Sequence, residues 1–323
     1  MLHRKIVLSL AVLPVALGGA CSSASPQCHV GADCASGACG SNGQCLPATQ
    51  SEGGADAGHP AYEAGVEASA DAATESDPGD DGGAGGCVPN HDGVVTRAEL
   101  PMLAGLHASF LIAENVTMTT GGVAQPDGSV DWDFSAALSG DHTVVITTDN
   151  PSGQWFASKY PGATYTSKLS DTQTFLGVYQ ATASALDLLG VVTPTNGAPV
   201  TEVSYSPSVE ILAVPMQMGS TWTSTSQVTG TADGIAAVYS EKYVSSVDAH
   251  GSLKVPYGTF DVLRVQTTLT RTDGAIIETT QTMTFVAECF GPVARLTSKT
   301  TTAPEQVPGN AFTDVAEAWR LSP

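Results

Sequence analysis

SVDWDFSAAL, residues 129–138, decides the fold class. Val130, Trp132, Phe134, Ala136 and Leu138 fall on one side of an extended chain, and Asp131, Asp133, Ser135 and Ser139 on the other. Alternation with a period of two means a strand with one oily face and one wet face. The same texture continues outward from it. HTVVITT, TQTFLGVYQ, ALDLLGVV, VTEVSY, STWTSTSQV, AAVYSEKYVSSV, TFDVLRVQTTL, AIIETTQTMTFVA and FTDVAEAWRL are rich in Val, Thr and aromatic residues, as strands are. Pro126-Asp127-Gly128, Thr272-Asp273-Gly274 and His250-Gly251 read as turns between them. Only LPMLAGLHASF, residues 100–110, suggests a short helix. Closely spaced hairpins predict an all-β domain over residues 87–323, built as one antiparallel meander.

Before residue 87 the composition changes. Residues 46–86 hold nine acids, no Lys or Arg, and hardly any large apolar group. Such a segment cannot bury enough surface to offset the entropy of ordering, so it reads as a disordered acidic linker. As a flexible coil it would reach on the order of 35 Å. Residues 1–20 combine a short basic start, the apolar run IVLSLAVLPVALGGA and small residues before Cys21, which reads as a signal peptide. This junction resembles the bacterial lipoprotein signal, in which the cysteine carries the lipid. Gly18 stands where that pattern prefers Leu, and Gly18 with Ala20 also suits ordinary secretion. The resemblance implies lipidation of Cys21 and membrane attachment through it. Ser22, where Asp would resemble the inner-membrane retention signal, implies the outer membrane, at its periplasmic or cell-surface face. The alternative is a soluble secreted protein. Without residues 1–20 the chain carries 10 basic and 32 acidic residues, a net −22 that repels polyphosphate and excludes nucleic acid as a partner.

Six cysteines remain besides Cys21, and an exported chain meets an oxidising compartment. Cys28, Cys34, Cys39 and Cys45 are spaced C-x5-C-x4-C-x5-C among Gly, Ser, Asn and Asp, with almost nothing apolar to pack. Residues 21–45 therefore read as the anchor followed by a two-disulfide knot of undetermined connectivity, since zinc frameworks use C-x2-C pairs that are missing here. The knot resembles cysteine-rich modules of the form DC-x-SG-x-C beside the anchors of exported bacterial proteins. Elimination leaves Cys87 and Cys289 for each other.

Three further stretches carry a resemblance. MQMGSTW (216–222), VPYGTFDVLRV (255–265) and FVAECFGPVARL (285–296) are similar to the G-x-T-W, P-x-G-T-F-x-x-x-x-V and A-x-x-x-G-x-V elements of poorly characterised secreted bacterial β domains. That resemblance implies a strongly curved, half-barrel-like sheet akin to periplasmic lipoprotein carriers. It implies a lipoprotein of unassigned role. Cys289-Phe290 departs from the pattern, which has a Pro-Gly-type turn there. Read from the residues alone, Pro256 and Gly258 turn the chain into a strand. Phe260, Val262 and Trp222 are core side chains, with Trp222 plugging the end of the core.

CVPNHDGVVTRAEL, residues 87–100, offers the one metal-like pattern. With Gly93 at the sixth position of a calcium loop, Asn90, Asp92, the Val94 carbonyl, Thr96 and Glu99 take positions 3, 5, 7, 9 and 12. Val88 stands where the first carboxylate belongs, so calcium would bind weakly. The competing reading is a tight Asn-His-Asp-Gly turn followed by a cap in which Glu99 folds back on Thr96. No other cofactor is implied.

No G-x-S-x-G, H-E-x-x-H or G-x-x-x-x-G-K-[ST] motif occurs. His91, His107, His142 and His250 are scattered, and Asp131 with Asp133 reads as a solvated face. The sequence thus points away from an enzyme and names no catalytic residue. It points to an envelope protein that binds an apolar or amphiphilic ligand or, alternatively, contacts an envelope protein through a packed β domain. A hydrolase is the third reading.

Overall fold

The computed structural model describes residues 87–302, 309 and 311–323. The signal peptide, Cys21, the knot cysteines Cys28, Cys34, Cys39 and Cys45, and the acidic linker lie outside the described residues.

The strands are β1 (Val94–Val95), β2 (His107–Thr117), β3 (Val123–Ala124), β4 (Val130–Asp133), β5 (His142–Asp149), β6 (Tyr165–Lys168), β7 (Leu176–Ala181) and β8 (Ala185–Val192). They continue as β9 (Glu202–Ala213), β10 (Met216–Gln217), β11 (Thr221–Ala232), β12 (Ile235–Val255), β13 (Gly258–Asp273), β14 (Ile276–Ala287), β15 (Gly291–Ser298) and β16 (Asp314–Leu321). The class is all-β, and consecutive long strands pair antiparallel from β5 to β16, skipping β10, as hairpin spacing predicts.

The half-barrel expectation is corrected. β16 returns to β2, with Leu321 opposite Phe110 and Asp314 opposite Thr117, so the sheet closes into a twelve-strand barrel. Closing the sheet removes the two bare edges that an open meander would leave.

SVDWDFSAAL is a strand, but a shorter one outside the barrel. β4 ends at Asp133 and pairs parallel with the far end of β12, Trp132 lying beside Leu253. Alternation survives to Phe134 and stops there, because Ala136 is exposed. Trp132 and Phe134 cover the outer surface of the wall, each edge-on to Phe285 at 5.1 and 5.4 Å. Arg320, wholly buried, donates to the carbonyls of Phe134 and Ala136 (3.1 and 2.6 Å) and pairs with Asp141, which pins this cover in place. A second cover spans residues 150–164, where the Tyr160 hydroxyl donates to the Val203 carbonyl at 2.8 Å.

Two local readings also fail. His250-Gly251 is no turn but the interior of β12. Glycine is required there because β4 approaches so closely that a Cβ would lie 2.0 Å from the Val130 carbonyl oxygen. Residues 100–110 are not helical; the chain runs irregularly into β2, and a 3₁₀ turn sits earlier, at Arg97–Glu99.

The lumen face is identified by β11, where Trp222, Ser226 and Val228 are buried while Thr221, Thr223, Thr225, Gln227 and Thr229 are exposed. Following the strand partners, Val247, Val265, Glu241, Arg271, Arg295, Glu317 and Trp319 share that inner face. Residues 94–102 plug one end of the lumen. Val95, Leu100 and Met102 pack against Val247, Val265, Val286, Leu212 and Trp222, and β1 is held by two-residue pairing with β10. Trp222 is buried within this cluster, as its reading as a core side chain requires.

Candidate functional site

The plug begins at Cys87, which stands at disulfide distance from Cys289, Cα to Cα 5.5 Å. Cys289 occupies the β14–β15 turn in a left-handed conformation (φ 67°), and its N–H donates to the Glu99 carbonyl at 2.8 Å. The bridge therefore ties the entrance segment to a turn of the barrel wall.

All five residues of the calcium pattern lie in this entrance segment. The Asp92 carboxylate accepts the Val94 N–H (2.7 Å) and the Asn90 side-chain amide (3.2 Å), while Asn90 Oδ1 accepts the Asp92 N–H (3.0 Å). Glu99 Oε2 accepts both the N–H and the hydroxyl of Thr96, each at 2.8 Å. These are an Asx turn and a cap, with the carboxylates turned onto the segment's own donors. Among the described residues no three His, Cys, Asp or Glu side chains gather where they could hold a metal ion.

Beside the disulfide lies a groove of about 400 Å³ lined chiefly by Tyr257, Phe260, Phe290, His91, Asp261 and Glu288. Each side chain arrives there for a local reason. Pro256-Tyr257 is the two-residue turn between β12 and β13, so the Tyr257 ring is thrown outward. Phe260 is on the outer face of β13, opposite Leu253. Phe290 follows the left-handed Cys289 in the next turn. The three rings meet: Tyr257 and Phe260 stack at 6.0 Å, Phe290 stands edge-on to Phe260 at 4.9 Å, and Tyr257 lies 6.4 Å from Phe290. Yet Tyr257 remains 42% and Phe290 45% exposed. Glu288 Oε2 accepts the N–H groups of Asn90 and His91 (2.7 and 3.0 Å), and His91 Nδ1 lies 3.1 Å from Asp261. The far walls of the groove are thus acidic.

The inner network is polar and distant from this groove. Arg271 pairs with the fully buried Glu241 carboxylate at 2.8 Å, lies 4.7 Å over the Tyr239 ring, and leaves Glu241 to accept the Tyr243 hydroxyl at 2.6 Å. Burial pushes the Tyr243 and Tyr205 hydroxyls far above their usual range. Farther round, Glu317 accepts from Ser170 Oγ (3.0 Å), the Asp171 N–H (2.6 Å) and Arg295 (3.2 Å), and Arg295 also donates to the Leu169 carbonyl. Asp171 pairs with Lys168 and with His142 Nε2, the latter at 2.5 Å. Lys168 and then His142 hold the Asp171 carboxyl below its usual range, while Asp171 and the Gly140 carbonyl raise His142. On β8 and β9, Asp187 and Glu210 are strand partners, and partial burial raises both. Asp131 accepts from Gln125 and Asp133 from Ser135, as a solvated face would.

No family model, curated protein or solved structure matches the chain.

Sequence reasoning missed Tyr257 and Phe290 as surface groups. Tyr257 sits inside a motif whose apolar residues were all assigned to packing. Phe290 carried a signal, since it occupies the point where the chain departs from the turn pattern of the domains it resembles.

Proposed function

We propose that this is a non-catalytic binding module, exported and held at the outer membrane through Cys21, that takes an amphiphilic ligand in the aromatic groove. The observation that carries this is the Tyr257–Phe260–Phe290 cluster. Three large rings left partly in water beside carboxylates form a concave surface that is apolar on one side and polar on the other. At the disulfide end of the lumen, where a carrier-like half-barrel would hold an apolar ligand, the plug side chains Val95, Leu100 and Met102 take up the apolar surface. The ligand site of this reading is on the wall.

The test is an NMR titration of the aromatic side chains with dodecyl maltoside below its micelle concentration. Shifts confined to Tyr257, Phe260 and Phe290, and at least a tenfold loss of affinity in Phe290→Ser, are the expected result. Shifts at Trp222 or Tyr165 would move the site into the lumen, and an unperturbed spectrum would end the reading.

A second reading, an envelope-protein contact, rests on the β11–β12 and β13–β14 hairpins. They leave Ile235 (72%), Val238 (66%), Ile276 (59%) and Ile277 (46%) exposed near their tips. Aliphatic groups this exposed are what a protein interface covers. Site-specific crosslinking from Ile276 in the intact envelope that captured no protein would remove this alternative.

A further inference from the structure

We infer that the ligand of the groove carries a cationic ammonium head group; the inference rests on the groove being the binding site. Three observations converge on the charge. The faces of aromatic rings are electronegative, and of the three rings that line the concavity Tyr257 and Phe290 stay exposed to solvent while packing on Phe260. Asp261, whose side chain is 74% exposed, and Glu288 stand on its walls, and no Lys or Arg lines it. Glu288 is fixed by the backbone N–H groups of Asn90 and His91, which hold its carboxylate in place beside the rings. Finally, residues 87–323 carry ten Lys and Arg against twenty-two Asp and Glu, so the surrounding field also draws cations.

The chemistry excludes the opposite head group. A phosphate or sulfate approaching these rings would meet both carboxylates and the negative ring faces. An ammonium finds electrostatic attraction from both sets of groups, and its alkyl chain can lie along Phe260 and Ala287 on the apolar floor. His91 sits between the walls at 3.1 Å from Asp261, so a cation that displaces the imidazole gains the freed carboxylate.

Three probes of equal chain length separate the possibilities on the full chain: dodecyltrimethylammonium, dodecyl maltoside and dodecyl sulfate, each below its micelle concentration. Cation–π attraction on exposed rings predicts that the trimethylammonium binds roughly two- to five-fold tighter than the maltoside. The sulfate should bind weakest. In Asp261→Asn/Glu288→Gln the maltoside affinity should hold while the cation preference falls several-fold. In Phe290→Leu, which keeps the apolar bulk and removes the ring face, the preference should fall again. Equal affinity for the cationic and neutral probes overturns the inference while leaving the groove as a binding site. A cation preference that survives both variants also overturns it, by assigning the effect to the general surface charge. Failure of every probe to perturb the groove would instead strike the functional reading beneath it.

Discussion

The two halves of the lumen are held by opposite means. Toward the disulfide end, Leu100, Met102, Val247, Val265, Val286 and Trp222 fit together, and the plug's own charges, Arg97 and Glu99, are turned onto the Leu100 carbonyl and onto Thr96. Elsewhere on the inner face the same strands turn inward Glu241 and Arg271 with Tyr243, and Arg295 and Glu317 with the Ser170–Asp171 loop. The first half is stabilised by removing apolar surface from water, an effect indifferent to pH. The second depends on matched charges, each costly to bury and worth keeping only while its partner is present. One continuous wall therefore encloses a region that tolerates changes of solution and a region that registers them.

The largest effect should come from cutting the anchor of the apolar half. The Cys87–Cys289 bridge spans 202 residues. Removing it in Cys87→Ser/Cys289→Ser frees unfolded-chain entropy worth up to about 5 kcal/mol in the loop-closure treatment. Urea unfolding measures it. A loss below about 1 kcal/mol would mean that the plug is held by its apolar contacts alone.

A paired comparison tests the contrast itself. Leu100→Ala should cost about 2–5 kcal/mol through lost burial and a cavity, with the same cost at pH 5 and pH 8. Glu317→Gln keeps the shape but removes the charge opposite Arg295. Because Arg295 is about a quarter exposed, the expected cost is smaller, about 1–3 kcal/mol. Salt should shrink the cost of Glu317→Gln and leave that of Leu100→Ala unchanged, and equal salt-independence in unfolding melts of the two variants would erase the distinction between the halves.

The smallest effect is the pH response of the 169–175 loop. His142 is raised by pairing with Asp171, so its contribution is complete below the unfolded histidine value and fades as pH rises through its higher folded value. Asp171 is lowered, so its contribution is present above the unfolded carboxyl value and is lost as pH falls through the lower folded one. The groups facing this pair are Lys168, Glu114 and Glu317. Loop protection measured by hydrogen exchange at the Asp171 amide should be greatest between about pH 4 and 6.5, the interval bounded by the two unfolded values. It should decline on either side. His142→Ala should abolish the decline above that window and leave the acid side intact.

Much of the wall was legible in the residues because alternation is a local signal. TFDVLRVQTTL and STWTSTSQV declare their two faces without reference to anything distant, and β13 and β11 lie where they said. β2 hid because the stretch leading into it, LPMLAGLHASF, is rich in Leu, Met, Ala and His that suit a helix equally well, and β15 hid behind Pro292. Closure was invisible for a different reason. The pairing of Leu321 with Phe110 joins segments at opposite ends of the domain, and no hairpin signal spans that distance. His250-Gly251 misled because glycine serves turns and close backbone approaches alike, and only the position of Val130 distinguishes them. At the candidate site, Cys87 and Cys289 could be paired on paper, whereas the rings of Tyr257 and Phe290 could not be told from core until their turns were seen to face outward.

The return of β16 to β2 makes the domain a hoop with a single late clasp. Until Asp314–Leu321 docks, β2 and β15 each present a row of unsatisfied amides and carbonyls, ready to recruit a strand from a neighbouring chain. As the chain is made, the nascent sheet must wait, unfastened, through the synthesis of every intervening strand. A variant shorn of that clasp should be recovered as aggregate, however sound the rest of its wall.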